Sequence, residues 1–142
     1  PILNTASEVG FGATIASLSS FKSIQAAVLG IMPEYPLVSL SVAVNALAGI
    51  TGSASGGLSI ALKALGTQYV EMANAAGVPL EYMHRVASVA CGGLDALPHN
   101  GAVITLLTIC GLTHKKSYFD IFMVSVAFPV LANAVIVILG SF

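Results

Sequence analysis

Gly92-Gly93-Leu94-Asp95-Ala96-Leu97-Pro98-His99-Asn100-Gly101 is the stretch whose reading decides this fold. An acid, a proline, a histidine and an amide stand among three glycines, and almost uncharged apolar runs flank them on both sides. A helix does not pass smoothly through such a segment. Proline lacks a backbone donor and clashes with the preceding turn. The residue before it is driven towards extended geometry, and the glycines loosen the backbone at both ends. If the flanking runs lie in a membrane, the segment is a helix broken at membrane depth. Broken backbone is tolerated there only where it is buried in protein or lines a polar cavity. The expectation is half of a solute-binding site.

Composition supports the membrane setting. The chain has 142 residues, of which 56% are hydrophobic and 8% charged; a soluble domain carries about 25% charged residues. So little charge does not cover a soluble surface. The fold class expected is an all-α integral membrane protein with transmembrane helices, a re-entrant hairpin and a broken helix. A membrane β-barrel would need alternating segments of roughly 10 residues, and the runs here do not alternate. The net charge of −1 offers no basic patch for nucleic acid; the bilayer is the expected macroscopic partner. Cys91 and Cys110 lie inside apolar runs and read as small buried thiols rather than a disulfide. The chain opens in mid-theme at Pro1-Ile2-Leu3-Asn4 and reads as part of a longer polypeptide.

Working outward, residues 82–112 form the broken helix, with half-helices Tyr82 to Leu94 and Ala102 to Leu112, the second closed by Gly111. Residues 36–65 read as a re-entrant hairpin. Its first arm, Leu37 to Ile50, is too short for the roughly 20 residues of a full span. Its tip is Thr51-Gly52-Ser53-Ala54-Ser55-Gly56-Gly57. The competing reading is one continuous helix, with Gly52 and Gly56 allowing close helix packing. Residues 5–32 read as a helix plus an interfacial arm, with a possible capping box at Thr5 and Glu8 and a break near Ser19, because Lys22 is costly at mid-span. Residues 66–81 read as a polar loop, with a short helix at most over 69–76. Residues 118–141 read as the last transmembrane helix. Lys115-Lys116 puts loop 113–117 in the cytoplasm by the positive-inside rule, and loop 66–81 then faces outside. The location expected is the cell inner (plasma) membrane, crossed several times.

The chain shows no nucleophile–base arrangement, no P-loop and no zinc pattern. Cys110 and His114 have ligand-like spacing but no second pair. No cofactor and no enzymatic activity are expected. The polar groups instead gather at the two breaks. Half-helix N-termini carry unpaired N–H groups and positive dipole ends, which suit a carboxylate. Ser53, Ser55, Gly56 and Gly57 at the first break are the candidate substrate-binding residues, with His99, Asn100 and the N–H groups of Gly101 and Ala102 at the second. Asp95 is the one acid deep in an apolar run, so it is a candidate proton carrier; the competing role is a structural cap. His99 either moves a proton or bonds substrate, or it satisfies broken-helix carbonyls. Asn133 reads as interhelical glue.

Three further stretches carry a resemblance: Asn4-Thr-Ala-Ser-Glu-Val-Gly-Phe-Gly12, Ala48-Gly-Ile-Thr-Gly-Ser-Ala-Ser-Gly-Gly57, and Cys110-Gly-Leu-Thr-His-Lys-Lys-Ser-Tyr118. Together with His84-Arg-Val-Ala-Ser and Gly92 to Leu107, they resemble the gluconate permease (GntP) family over essentially the whole chain. The resemblance implies a proton-coupled symporter for gluconate or a related small hydroxy acid such as 3-hydroxybutyrate, with sodium coupling and a non-transporting membrane subunit or enzyme as alternatives. It implies that this chain is the C-terminal third of a permease, whose missing N-terminal part is a partner, along with the hydroxy-acid anion and the proton. A homodimer is a further assembly to consider. The resemblance does not assign individual side chains to proton or substrate.

Overall fold

The computed structural model describes Thr14, Ser17 to Met32 and Glu34 to Ser141. The possible capping box at Thr5 and Glu8, and most of the first helix expected over 5–32, lie outside the described residues. Every regular element among the described residues is helical. The order is α1 (Ser19–Leu29), α2 (Pro36–Thr51), α3 (Ala54–Ala76), α4 (Leu80–Ala90), α5 (Gly101–Ile109), α6 (His114–Phe122), a π-helical turn (Met123–Ala127) and α7 (Phe128–Ser141).

α1 starts where Leu18 is extended, at φ −70° and ψ 138°, which places the interruption beside Ser19. Phe21 and Val28 of this arm are buried against the rest. Pro36 opens α2 at the first helical position, where its missing N–H costs nothing. α2 ends at Gly52, whose φ of +62° is left-handed and favours glycine. The chain therefore reverses at Gly52, and the alternative of one continuous helix through 51–57 does not hold.

α3 packs antiparallel on α2 at close range. A Cβ on Gly57 would fall on the backbone of Ala48 and come within 2.8 Å of the Leu47 carbonyl carbon. Leu37, Ala43, Val44 and Leu47 of α2 and Ile60, Ala61 and Leu65 of α3 form the shared core.

The loop expected over 66–81 is helical as far as Ala76. The polar composition misled because it is one-sided. Leu65, Tyr69 and Ala73 continue the buried stripe at four-residue spacing, whereas Gln68, Glu71 and Asn74 face outward. Only Gly77 (φ +70°) to Pro79 forms the turn. Tyr69 and Ser39 meet oxygen to oxygen at 3.0 Å, and Ser39 also reaches the Val28 carbonyl at 3.4 Å. That contact sets Tyr69 level with the start of α2, so the last turns of α3 run past it.

α4 and the final helix pack together against α2. A Cβ on Gly140 would come 2.8 Å from both Leu37 and Tyr82. The starts of α2 and α4 and the end of α7 thus share one end of the bundle; the Gly52 turn and the segment after α4 share the other.

His114 begins the last helix, so the expected loop 113–117 is reduced to its Thr113 cap and the first helical turn. From His114 to Ser141 the helix runs 28 residues, and it is long and apolar enough to cross a membrane. Only 17% of its most apolar window is buried, which sets it apart from the core helix of a soluble protein. The π-helical turn lies just ahead of Pro129, and Phe128 donates its N–H to Met123, five residues back. That wider turn accommodates a ring that would crowd a regular ladder.

The contrast between two glycines tests this packing. Gly57→Ala should force the α2–α3 arms apart and cost about 1–3 kcal/mol, as overpacking does. Gly66→Ala meets no atom within 4 Å and should gain up to about 1 kcal/mol from helix propensity. Thermal unfolding of the purified protein in detergent reads both, with opposite shifts expected.

Candidate functional site

The broken helix is interrupted over residues 91–100. α4 ends at Ala90 rather than at Leu94, and α5 begins at Gly101 and ends at Ile109 rather than at Leu112. The three turns after α4 close in sequence: Cys91 to Ala87, Gly92 to Val89 and Gly93 to Ala90. Gly111, at φ +66°, follows α5, and Leu112 bonds back to Leu107 at 2.8 Å.

Asn100 organises the junction. Its Oδ1 accepts from the N–H groups of Ala102 (2.6 Å) and Val103 (3.3 Å), which caps α5. Its Nδ2 donates to the Gly52 carbonyl at 2.5 Å and also to the Asp95 carbonyl. One buried amide therefore starts a helix, closes its own loop and grips the end of α2. His99 adds a second tie, with Nε2 at 2.9 Å from the Gly49 carbonyl. The histidine thus satisfies a carbonyl of the hairpin, across the junction from its own broken helix.

Glycine makes the approach possible. A Cβ on Gly49 would stand 3.1 Å from Leu94 Cβ, and one on Gly52 would stand 3.7 Å from Asn100 Cα.

The second helix start lies beside the first. Ser53 caps α3, its Oγ accepting from Gly56 N–H at 3.1 Å. Ser53 and Ser55 meet hydroxyl to hydroxyl at 3.3 Å. Thr51 directs its hydroxyl to the carbonyls of Leu47 and Ala48 at 2.8 and 3.3 Å, closing the end of α2. Because Asn100 bonds Gly52, the N-termini of α3 and α5 converge on one junction with their positive dipole ends.

The expected cradle is altered in detail. The Ala102 N–H is taken by Asn100, and the N–H groups of Gly56 and Gly57 are taken by Ser53. Ala54 and Gly101 are the first residues of α3 and α5, so their N–H groups have no partner within their own helices. Gly57 sits against Ala48 and serves the packing of the hairpin. Gly101 is the first residue of α5, with open space where a Cβ would stand. Asp95 is half-buried in the break, and its carboxylate lies within electrostatic reach of the Cys91 thiol. Both cysteines are free thiols, and Cys110 is exposed rather than buried.

Sequence reasoning missed a strap across the break. His114 Nε2 stands 3.0 Å from the Pro98 carbonyl, and Tyr118 donates its hydroxyl to the Ala96 carbonyl at 3.1 Å. The pair comes from the segment taken as a loop and a helix start. Their four-residue spacing on one helix face was the available signal. Among the described residues, no three His, Cys, Asp or Glu side chains stand together to hold a metal ion.

Sequence reasoning also missed a polar seam beside the break. Asn45 donates its Nδ2 to the Ser41 carbonyl at 3.0 Å, and Asn133 donates to Ser41 Oγ at 2.9 Å. Asn133 therefore does join α7 to α2. Among the described residues, no donor meets the buried Oδ1 atom of either asparagine, a condition that costs about 1–3 kcal/mol for each group.

A groove of about 320 Å³ between α2, α3 and α4 is lined mainly by apolar side chains, among them Leu40, Leu58, Leu62 and Met83. It lies away from the junction and offers little to an anion.

The fold and the junction together define an all-helical unit in which a hairpin turn and a broken helix meet. The chain is 50% identical over 136 residues, 96% of its length, to a Bacillus subtilis (strain 168) protein described as "Uncharacterized transporter YxjC". It spans 29% of the length of that relative. No protein-family model matches the chain, and no solved structure matches it.

Replacing Asn100 separates capping from gripping. Asn100→Ala removes a cap worth about 1 kcal/mol. Amide exchange at Ala102 and Val103 should then quicken by about fivefold. Asn100→Asp keeps an acceptor for those amides but loses the donor to Gly52, so Ala102 and Val103 should stay protected.

Proposed function

We propose that this chain forms part of a secondary transporter that carries small hydroxy-acid anions across the cell inner membrane. The observation that carries the reading is the junction itself, where two helix N-termini converge within apolar helices. Discontinuous helices meeting in a membrane are a recurrent way of building a transport site. The printed description of the Bacillus subtilis relative as a transporter supports the same role.

The membrane setting follows from lengths and faces. α2 has 16 residues, about 24 Å at the usual helical rise, whereas the hydrocarbon core is about 30 Å thick. A hairpin of α2 and α3 that enters from one face would therefore place the Gly52 turn inside the bilayer. The final helix crosses completely and presents Phe119, Val124, Phe128, Leu131 and Leu139 outward, as a lipid-facing surface requires. With Lys115 and Lys116 on the cytoplasmic side, the Gly77 turn and the polar end of α3 face outside.

In this reading the substrate carboxylate sits at the paired helix starts, near Ser53, Ser55 and Gly56 on one side and His99, Asn100 and Gly101 on the other. The N–H groups of Ala54 and Gly101 are its nearest donors. A hydroxy acid suits the mixture of hydroxyl and amide groups, and gluconate or 3-hydroxybutyrate are the compounds to test, in keeping with the resemblance to the gluconate permeases. Asp95 would carry the coupling proton. It sits inside the loop that Asn100 closes, so a change in its charge acts on the ties across the junction.

Proteoliposomes holding the full-length protein test this reading. An inward proton gradient should drive accumulation of gluconate or 3-hydroxybutyrate. Asp95→Asn should abolish accumulation while leaving exchange of labelled for unlabelled substrate in place. Uptake of neither acid overturns the assignment, and undiminished gradient-driven accumulation in Asp95→Asn removes Asp95 as the carrier.

A further inference from the structure

The seam between α2, α7 and the start of the break has no part in the anion junction, yet it is built of oxygen. Ser41 lies at its centre. Asn45, one turn along α2, hangs from the Ser41 carbonyl; Asn133, from α7, hangs from the Ser41 hydroxyl. Both amides are thereby held by one residue, with each Nδ2 committed. Among the described residues, no donor meets either buried Oδ1. Asn133 is 2% exposed, so the missing partner is not bulk water. Turning the Asn45 amide over would set its oxygen against the Ser41 carbonyl, so its orientation is fixed by its partner.

The break comes close to this seam. A Cβ on Gly93 would collide with Asn45 Oδ1 and stand 3.1 Å from a methyl of Val130. Glycine at 93 therefore lets the amide oxygen lie against the backbone at the start of the break. Val130 and Asn133 are one turn apart on α7, so α7 borders the seam on the same face.

Buried amide oxygens have no protons to offer, and such neutral oxygens, with a hydroxyl beside them, satisfy a hard cation. No carboxylate takes part, which disfavours a divalent ion, whose charge calls for anionic ligands. We infer that Ser41, Asn45 and Asn133 form a binding site for a monovalent cation of the size of Na+. The two amide oxygens and the Ser41 hydroxyl are its side-chain ligands. An ion there joins α2, α7 and the first residues of the break. Binding needs no transport; only the ion's use as a driving force rests on the transport reading.

The purified full-length protein in detergent tests the site with labelled Na+, choline replacing Na+ to hold ionic strength constant. Saturable binding is expected. Asn45→Leu and Asn133→Leu should each weaken it by about tenfold or more, as loss of a metal ligand does. Leucine fills the same apolar surroundings without an orphaned oxygen, so both variants should fold. If either does not, Asn45→Asp and Asn133→Asp decide, because an added charge at a true ligand tightens cation binding. Absence of saturable Na+ binding by the unmodified protein overturns the site. So does an affinity unchanged across the folded variants. Loss of hydroxy-acid uptake with Na+ binding intact would count against the transport reading and leave the site standing.

Discussion

The structure turns on the side chain of Asn100. A break in a buried helix leaves donors and acceptors that protein must satisfy. Asn100 meets that demand in two directions at once. Its oxygen caps the start of α5, and its nitrogen takes up carbonyls of Gly52 and Asp95. Each break thus supplies part of what the other lacks. His99 repeats the arrangement one residue earlier, at Gly49. Neither broken element is complete alone, which is why the hairpin turn and the 91–100 segment sit together.

Close packing makes this exchange possible. Gly57 brings α3 onto α2, Gly49 and Gly52 admit the broken segment to the end of α2, and Gly93 admits Asn45. The starts of α3 and α5 then meet at the polar junction, beside the ends of α2 and α4. Thr51, His99 and Asn100 take up carbonyls at the end of α2, so the two helix starts are left to favour an anion over a cation. The oxygen-lined seam lies to one side of the junction and has the opposite preference. His114 and Tyr118 hold the outer carbonyls of the break, so the segment is tied on both flanks while its backbone stays non-helical.

The break points were legible in the sequence because they depend on local chemistry. Gly52, Pro98 and Gly111 act on their own backbone, and each marks a turn or an interruption in the structure. Helix extent was less legible. Gln68, Glu71 and Asn74 gave residues 66–76 the composition of a loop, but their spacing leaves Tyr69 and Ala73 on a buried face. His114 to Ser117 read as a loop for a similar reason, since its charges are solvated on an exposed helical turn. The pairing of the breaks was expected in outline, but its contacts were not. The bond from Asn100 to Gly52 spans 48 residues and that from His99 to Gly49 spans 50. Nothing in local propensity encodes such a tie. Capping also consumed N–H groups expected to meet a ligand, because an asparagine before a helix serves its own helix first.

The central claim is that the Ser53 and Asn100 breaks form one junction that receives an anion. Cysteines at Ser53 and Gly101, in full-length protein with Cys91 and Cys110 replaced by alanine, address it directly in native membranes. A short bifunctional thiol reagent should join the two cysteines, and gluconate or 3-hydroxybutyrate should slow the reaction. No cross-link, with each single cysteine still labelled at the same rate in the presence and absence of hydroxy acid, would contradict the account.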